Sequence, residues 1–293
     1  MLRCVLPLAS LAIFFHVGWA EEVLPLGAGQ RDEAHYGAAD SSLGVPSPWA
    51  TPPVPELRFQ TSATLFQRAR GAVWYARADY LQWRESADSR RILQESGPLV
   101  TVGFLRQRDA SRWRAELFGG SVYYDGQTLD GEPLQSHTGY LGFRAEYDFL
   151  WALLRDPDAA MVLRLGTRFW NRALGNGSTE SGIPVYGYDE TWWTVYPGVG
   201  LETRRPLGTS SQWFATACLG VTAWTYEAVP AFDVALYPKP GPLLQLDLGI
   251  QTPRLLVWGF VELAQWYTSN ASGYVYQPDS TMFTAGLGGG LRF

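Results

Sequence analysis

From residue 71 to residue 293 the chain repeats one arrangement: ten runs of roughly ten or more residues in which apolar and polar side chains alternate. In the first run every second position gives Trp74, Ala76, Ala78 and Tyr80. The fourth gives Leu141, Phe143, Ala145, Tyr147 and Phe149, and the sixth Trp193, Val195, Pro197, Val199 and Leu201. A helix would repeat every 3.6 positions, so a period of two predicts strands. The opposite faces are charged. The first carries Arg77 and Asp79, the third Arg114 and Glu116, and the fourth Arg144, Glu146 and Asp148. Arg164 and Arg168 follow in the fifth, Glu202 in the sixth, Asp247 in the eighth and Glu262 in the ninth.

A soluble sandwich also alternates, so three further signals decide the environment. The connections alternate in length: residues 85–97, 125–136, 173–190, 227–241 and 269–281 read as long loops. Residues 107–111, 155–158, 205–211 and 252–254 read as short turns. Aromatics gather at the ends of the runs. Trp113, Phe149, Trp151, Trp213 and Phe293 fall at the short-turn side. Trp83, Tyr123, Tyr124, Phe169, Trp170, Trp192, Trp193, Trp224, Trp266 and Tyr267 fall at the long-loop side. Two such bands suit a bilayer, because an amphipathic ring prefers the headgroup level. Third, the chain closes on an alternating run, with Phe283, Leu287, Leu291 and Phe293 on one face. Backbone amides left unpaired in hydrocarbon cost several kcal/mol each, so spanning strands must close on themselves. The fold expected is all-β: a ten-stranded antiparallel up-and-down transmembrane β-barrel.

These residues resemble the Gram-negative outer-membrane β-barrel superfamily. The terminal run is similar to the last strand that the barrel assembly machinery of such proteins recognises. Trp74-Tyr-Ala-Arg-Ala-Asp-Tyr-Leu-Gln-Trp83 is also similar to the opening strand of planctomycete-type barrel proteins. The resemblance is architectural and spans residues 71–293. It implies a bacterial outer-membrane location, contact with outer-membrane lipid, and both termini in the periplasm.

Composition narrows the class further. Aromatics at 14% and charged residues at only 17% exclude a largely disordered chain. A net charge of −5 argues against nucleic acid as a partner. Residues 1–20 read as a secretory signal: Arg3, an apolar stretch over residues 5–15, then Gly18-Trp19-Ala20 with small residues where cleavage needs them. That stretch is too short for a membrane anchor, and Pro7 interrupts it. Residues 21–70 read as a disordered periplasmic linker, with five prolines between Pro46 and Pro55. Of two cysteines, Cys4 lies in the signal, and Cys218 alone cannot build a disulfide framework or a multi-thiolate metal site.

The inward faces invite two readings. Of the 23 basic residues all but Lys239 are Arg, whose planar fork pairs with carboxylates two bonds at a time. In the first reading Arg77, Arg114, Arg144, Arg164 and Arg168 pair with Asp79, Glu116, Glu146, Asp148, Glu202, Asp247 and Glu262 and fill a narrow lumen. In the second the same charges line an ion or solute path. Gly286, Gly288 and Gly290 leave room that Trp258, Phe260 and Trp266 are expected to fill. Ten-stranded barrels include the omptin proteases, but their Asp-His pair has no match: outside the signal, His occurs only at His35 and His137. Ser136 adjoins His137, yet strand neighbours point to opposite faces. Asp189 and Glu190 form a possible acid pair in a loop. No cofactor motif or metal-ligand spacing stands out, so the expectation is a non-enzymatic barrel meeting surface ligands through its loops. A narrow channel is the alternative, and an outer-membrane hydrolase comes third.

Overall fold

The computed structural model describes residues 71–108, 110–128, 131–153 and 156–293. The signal and linker segments lie outside the described residues. Ten long strands follow the alternation: β1 (Gly71–Ala87), β2 (Arg90–Arg108), β3 (Ser111–Gln127), β4 (Pro133–Leu153), β5 (Asp156–Leu174) and β6 (Asp189–Leu207). They continue as β7 (Ser211–Val221, resumed as Trp224–Val229), β8 (Lys239–Gln251), β9 (Leu255–Tyr267) and β10 (Asp279–Arg292). Each pairs antiparallel with its neighbours in sequence, and β10 returns to β1 from Val73↔Arg292 to Ser86↔Asp279. Backbone bonds between Ala72 and Phe293, at 3.0 and 3.2 Å, finish the seam. The sheet is closed, so no spanning strand leaves an edge in hydrocarbon.

The alternation is inside out relative to a water-soluble protein. Trp74, Val100, Leu117, Leu141, Leu165, Val199, Leu219, Leu248 and Leu287 are exposed on the outer face. Charged residues on the same strands are buried within. Outer positions beyond this band turn polar: Gln82, Arg84, Gln94, Ser96, Ser121, Gln135 and His137. A tilted strand gains about 2.5 Å of height per residue, so the 17–21 residues of β1–β6 climb about 43–53 Å, roughly twice the ~25 Å apolar band. The apolar band begins near the short turns, so the excess rises at the other end as a tall wall. In β8–β10, with 13–14 residues each, little excess remains.

That wall corrects two of the expected long loops. Residues 85–97 are almost entirely strand, joined by the two-residue turn Asp88-Ser89. Both turn residues have positive φ, 49° and 63°, the mirror-image geometry that matches strand twist. Most of residues 125–136 is likewise strand. Once out of the bilayer, polar strands still satisfy their amides best by staying paired, so sequence polarity alone misplaces the ladder's end. True long connections remain at residues 175–188, 230–238 and 268–278.

Candidate functional site

The inward side chains form layers along the barrel axis. Nearest the short turns, Arg112 bridges Asp148 at 2.7 Å and Glu202 at 2.5 Å, and Arg204 reaches Glu202 and, at 2.9 Å, Gln107 Oε1. Arg164 donates to both Asp148 oxygens, at 2.7 and 3.0 Å, and to Gln245 at 2.8 Å. Gln245 in turn donates to Glu146 and Glu262, at 2.9 and 2.7 Å. Further up, Arg77 holds Asp79 at 2.6 Å and Glu116 at 3.0 Å, while Arg144 holds Glu116 and Glu262. Arg168 also reaches Glu262. Arg114 sits more loosely, 3.6 Å from Glu146 and 3.5 Å from Asp247. Neutral donors complete the set: Tyr75 and Thr101 at 2.6 Å on Glu116 and Asp79, and Tyr196 at 2.9 Å on Glu146. The Phe260 ring lies beneath two guanidinium groups, Arg77 at 4.3 Å and Arg144 at 4.8 Å.

All twelve charged residues singled out from the sequence thus face inward and touch opposite charge. Arg112, Arg172 and Arg204 join them, as do Glu85 and Glu95, all unanticipated. Each continues the inward parity of its strand: Arg112 with Arg114, Arg172 with Arg168, Glu85 with Asp79. The signal was present, but Glu85 and Glu95 fell within a segment that read as a loop, and the three arginines sit at the borders of others that read as turns or a loop.

Above the ionic layers comes an aromatic one. Trp83, Trp170, Trp192 and Trp266 meet with ring centroids 5.2–6.4 Å apart, all essentially fully buried. Trp83, Trp170, Trp192 and Tyr124 were expected in the aromatic belt, and this is a correction; Trp266 was expected both in the belt and facing inward, and inward is where it lies. Trp83 shares the parity of Arg77 and Asp79, so the pleat turns it inward. Three of the buried indoles find acceptors: Trp83 on Glu85 at 2.8 Å, Trp192 on Glu190 at 3.3 Å and Trp266 on Thr225 at 3.0 Å. Trp113, Trp151, Trp193, Trp213, Tyr123 and Tyr267 do lie on the outer face. So do Phe283, Leu287, Leu291 and Phe293 of the terminal run.

The glycine reading holds in altered form. An added Cβ at Gly288 would lie 2.9 Å from the Trp258 ring, but Gly286 is filled by Asp79 and Gly290 by Val73 and Tyr75. Beyond the tryptophans Arg172 grips Glu85 at 2.9 Å, Glu95 at 3.0 Å and Glu190 at 2.6 Å, its guanidinium 5.3 Å from the Trp83 ring. Asp189 and Glu190 make no acid pair: both are strand residues, Glu190 buried on Arg172 and Asp189 exposed on the other face. His137 is exposed on the outer face, its ring edge-on to Tyr123 at 6.0 Å. The partly exposed Glu132 accepts a hydrogen bond from Ser181 at 2.6 Å, and bonds from Ser181 and Thr179 hold its carboxyl below the usual range.

A closed ten-stranded antiparallel sheet, greasy and aromatic-bordered outside and ionic within, defines an outer-membrane β-barrel. No protein-family model and no curated relative matches the sequence. Similar solved structures are themselves outer-membrane barrels. The beta domain of the Bordetella autotransporter Brka is 13% identical with a TM-score of 0.46, covering 76% of this chain and 100% of that one. The outer membrane protease OmpT from Escherichia coli is 12% identical with a TM-score of 0.44, covering 76% and 97%. Ail, the attachment invasion locus protein of Yersinia pestis, is 12% identical with a TM-score of 0.32, covering 76% and 99%. Likeness at this level concerns the fold alone.

Proposed function

We propose that the protein is a non-conducting barrel of the bacterial outer membrane, with both chain termini on the periplasmic side. Its role is that of a membrane-embedded scaffold whose outer rim meets partners at the cell surface. The observation that carries this reading is the filled cross-section. Ionic and aromatic layers succeed one another along the axis, and two cavities lined by lumen side chains measure about 40 Å³ each, room for a few water molecules. An ion crossing this interior would have to part guanidinium–carboxylate pairs in a low dielectric, and breaking one such pair costs several kcal/mol. The tall β1–β6 wall and residues 175–188 supply the surface for partners. Catalysis has no part in the proposal: His137 and Glu190, the reactive candidates, stand on opposite faces of the wall.

A planar lipid bilayer tests it. The purified barrel should insert without producing single-channel steps. Clear, reproducible steps would overturn the scaffold reading in favour of a narrow channel.

A further inference from the structure

The buried charges divide unevenly along the barrel. Of eight buried arginines and eleven buried carboxylates among the described residues, seven of each lie below the tryptophan layer. Level with it and beyond, Arg172 is the one buried arginine among them and faces four acids: Glu85, Glu95, Glu190 and Glu227. Ionised carboxylates in such excess are not stable away from water, and the usual remedy is neutralisation of one of them. The hydrogen bonds indicate which. Glu95 accepts from Thr138 at 2.7 Å and from Tyr140; Glu85 and Glu190 accept from the indoles of Trp83 and Trp192. All three also hold Arg172. Glu227 is 1% exposed, and its Oε2 has no hydrogen-bond partner. It stands directly across from Trp192 and diagonal to Glu190 on the same inward face.

We propose that the Glu227 carboxyl holds a proton at neutral pH, making the outer mouth of the barrel a proton-binding site. Glu227 lies three residues beyond Trp224, whose ring marks the outer aromatic border, so the site is outside the apolar band. The charged groups acting on it are Glu85 from β1, Arg172 from β5 and Glu190 from β6; Glu95 from β2, Tyr124 from β3, Tyr140 from β4 and Tyr188, which adjoins β6, neighbour Arg172 in turn. Burial first, then the Glu190 and Glu85 carboxylates, push the Glu227 carboxyl up to about 10, against a smaller pull from Arg172. A metal ion is the rival occupant. Among the described residues, however, no three His, Cys, Asp or Glu side chains converge with metal-binding geometry.

The sign of the effect follows from linkage. The unfolded chain ionises this acid near its ordinary value of ~4.3 while the folded barrel keeps it neutral, so stability falls as pH rises between the two values. Glu227→Gln imitates the neutral carboxyl and ionises in neither state. At pH 8 the variant should therefore unfold at higher urea than wild type, with the gap shrinking toward pH 5. Infrared difference spectroscopy on the wild-type barrel in detergent gives a direct reading. At pH 7.5 it should show the C=O stretch of a protonated carboxyl, and Glu227→Gln should remove it. Absence of that band in wild type overturns the proposal whether or not the variant folds. So does a wild-type unfolding midpoint that millimolar calcium raises and that of Glu227→Gln does not share, because a metal would then occupy the site.

Discussion

Glu116 binds three donors at once: Tyr75 at 2.6 Å, Arg77 at 3.0 Å and Arg144. It is buried, and both guanidinium groups are buried with it. Glu116→Ala would leave two cations short of a counter-charge in a low dielectric, a loss that typically costs about 3–5 kcal/mol. Urea unfolding of the vesicle-inserted barrel should register a drop of that order, and an unchanged midpoint would mean the ionic layer contributes little to stability. At this scale parity made the inner charges legible, since every second residue of a strand shares a face. Pairing was not legible. Arg144 reaches Glu262, 118 residues away, and Arg114 reaches Asp247, 133 residues away. Only ring closure brings those strands to opposite walls of one narrow interior.

Strand β10 closes the barrel against both β9 and β1, and its outer face runs Phe283, Ala285, Leu287, Gly289, Leu291 to Phe293. Since Phe293 is 68% exposed, its ring does little for packing inside the barrel. If the assembly machinery reads this terminal strand, Phe293→Ser should lower the fraction of protein that reaches the folded, heat-modifiable form in cells. Refolding of the same variant into vesicles in vitro should be nearly normal. Equal assembly of variant and wild type in cells would remove the recognition role. Element type and order were readable because ten runs agreed on a period of two. Element ends were not, as Asp88-Ser89 illustrates: polar residues on both sides resemble a loop, yet two positive φ values turn the chain within two residues and the ladder resumes.

For the molecule as a whole, everything depends on what bathes the outer band. Leu165 lies near its middle and is 58% exposed. In water Leu165→Arg would be close to neutral. At a bilayer midplane it should cost about 2–4 kcal/mol, measured as a lower urea midpoint in vesicles. A neutral result there, or a barrel that stays monodisperse without detergent, would place the band in water.

The amino-acid sequence by itself determined the number of strands, which face meets lipid, and which face carries charge. These are local consequences of alternation, available to any reader of every second residue. Tertiary structure decided whether the lumen is open and where its charge fails to balance. The four tryptophans that meet in the interior lie on four different strands, and so do the acids that cluster with Arg172. Proximity among such residues exists only after the last strand has hydrogen-bonded to the first, because no spacing along the chain encodes a distance across a ring.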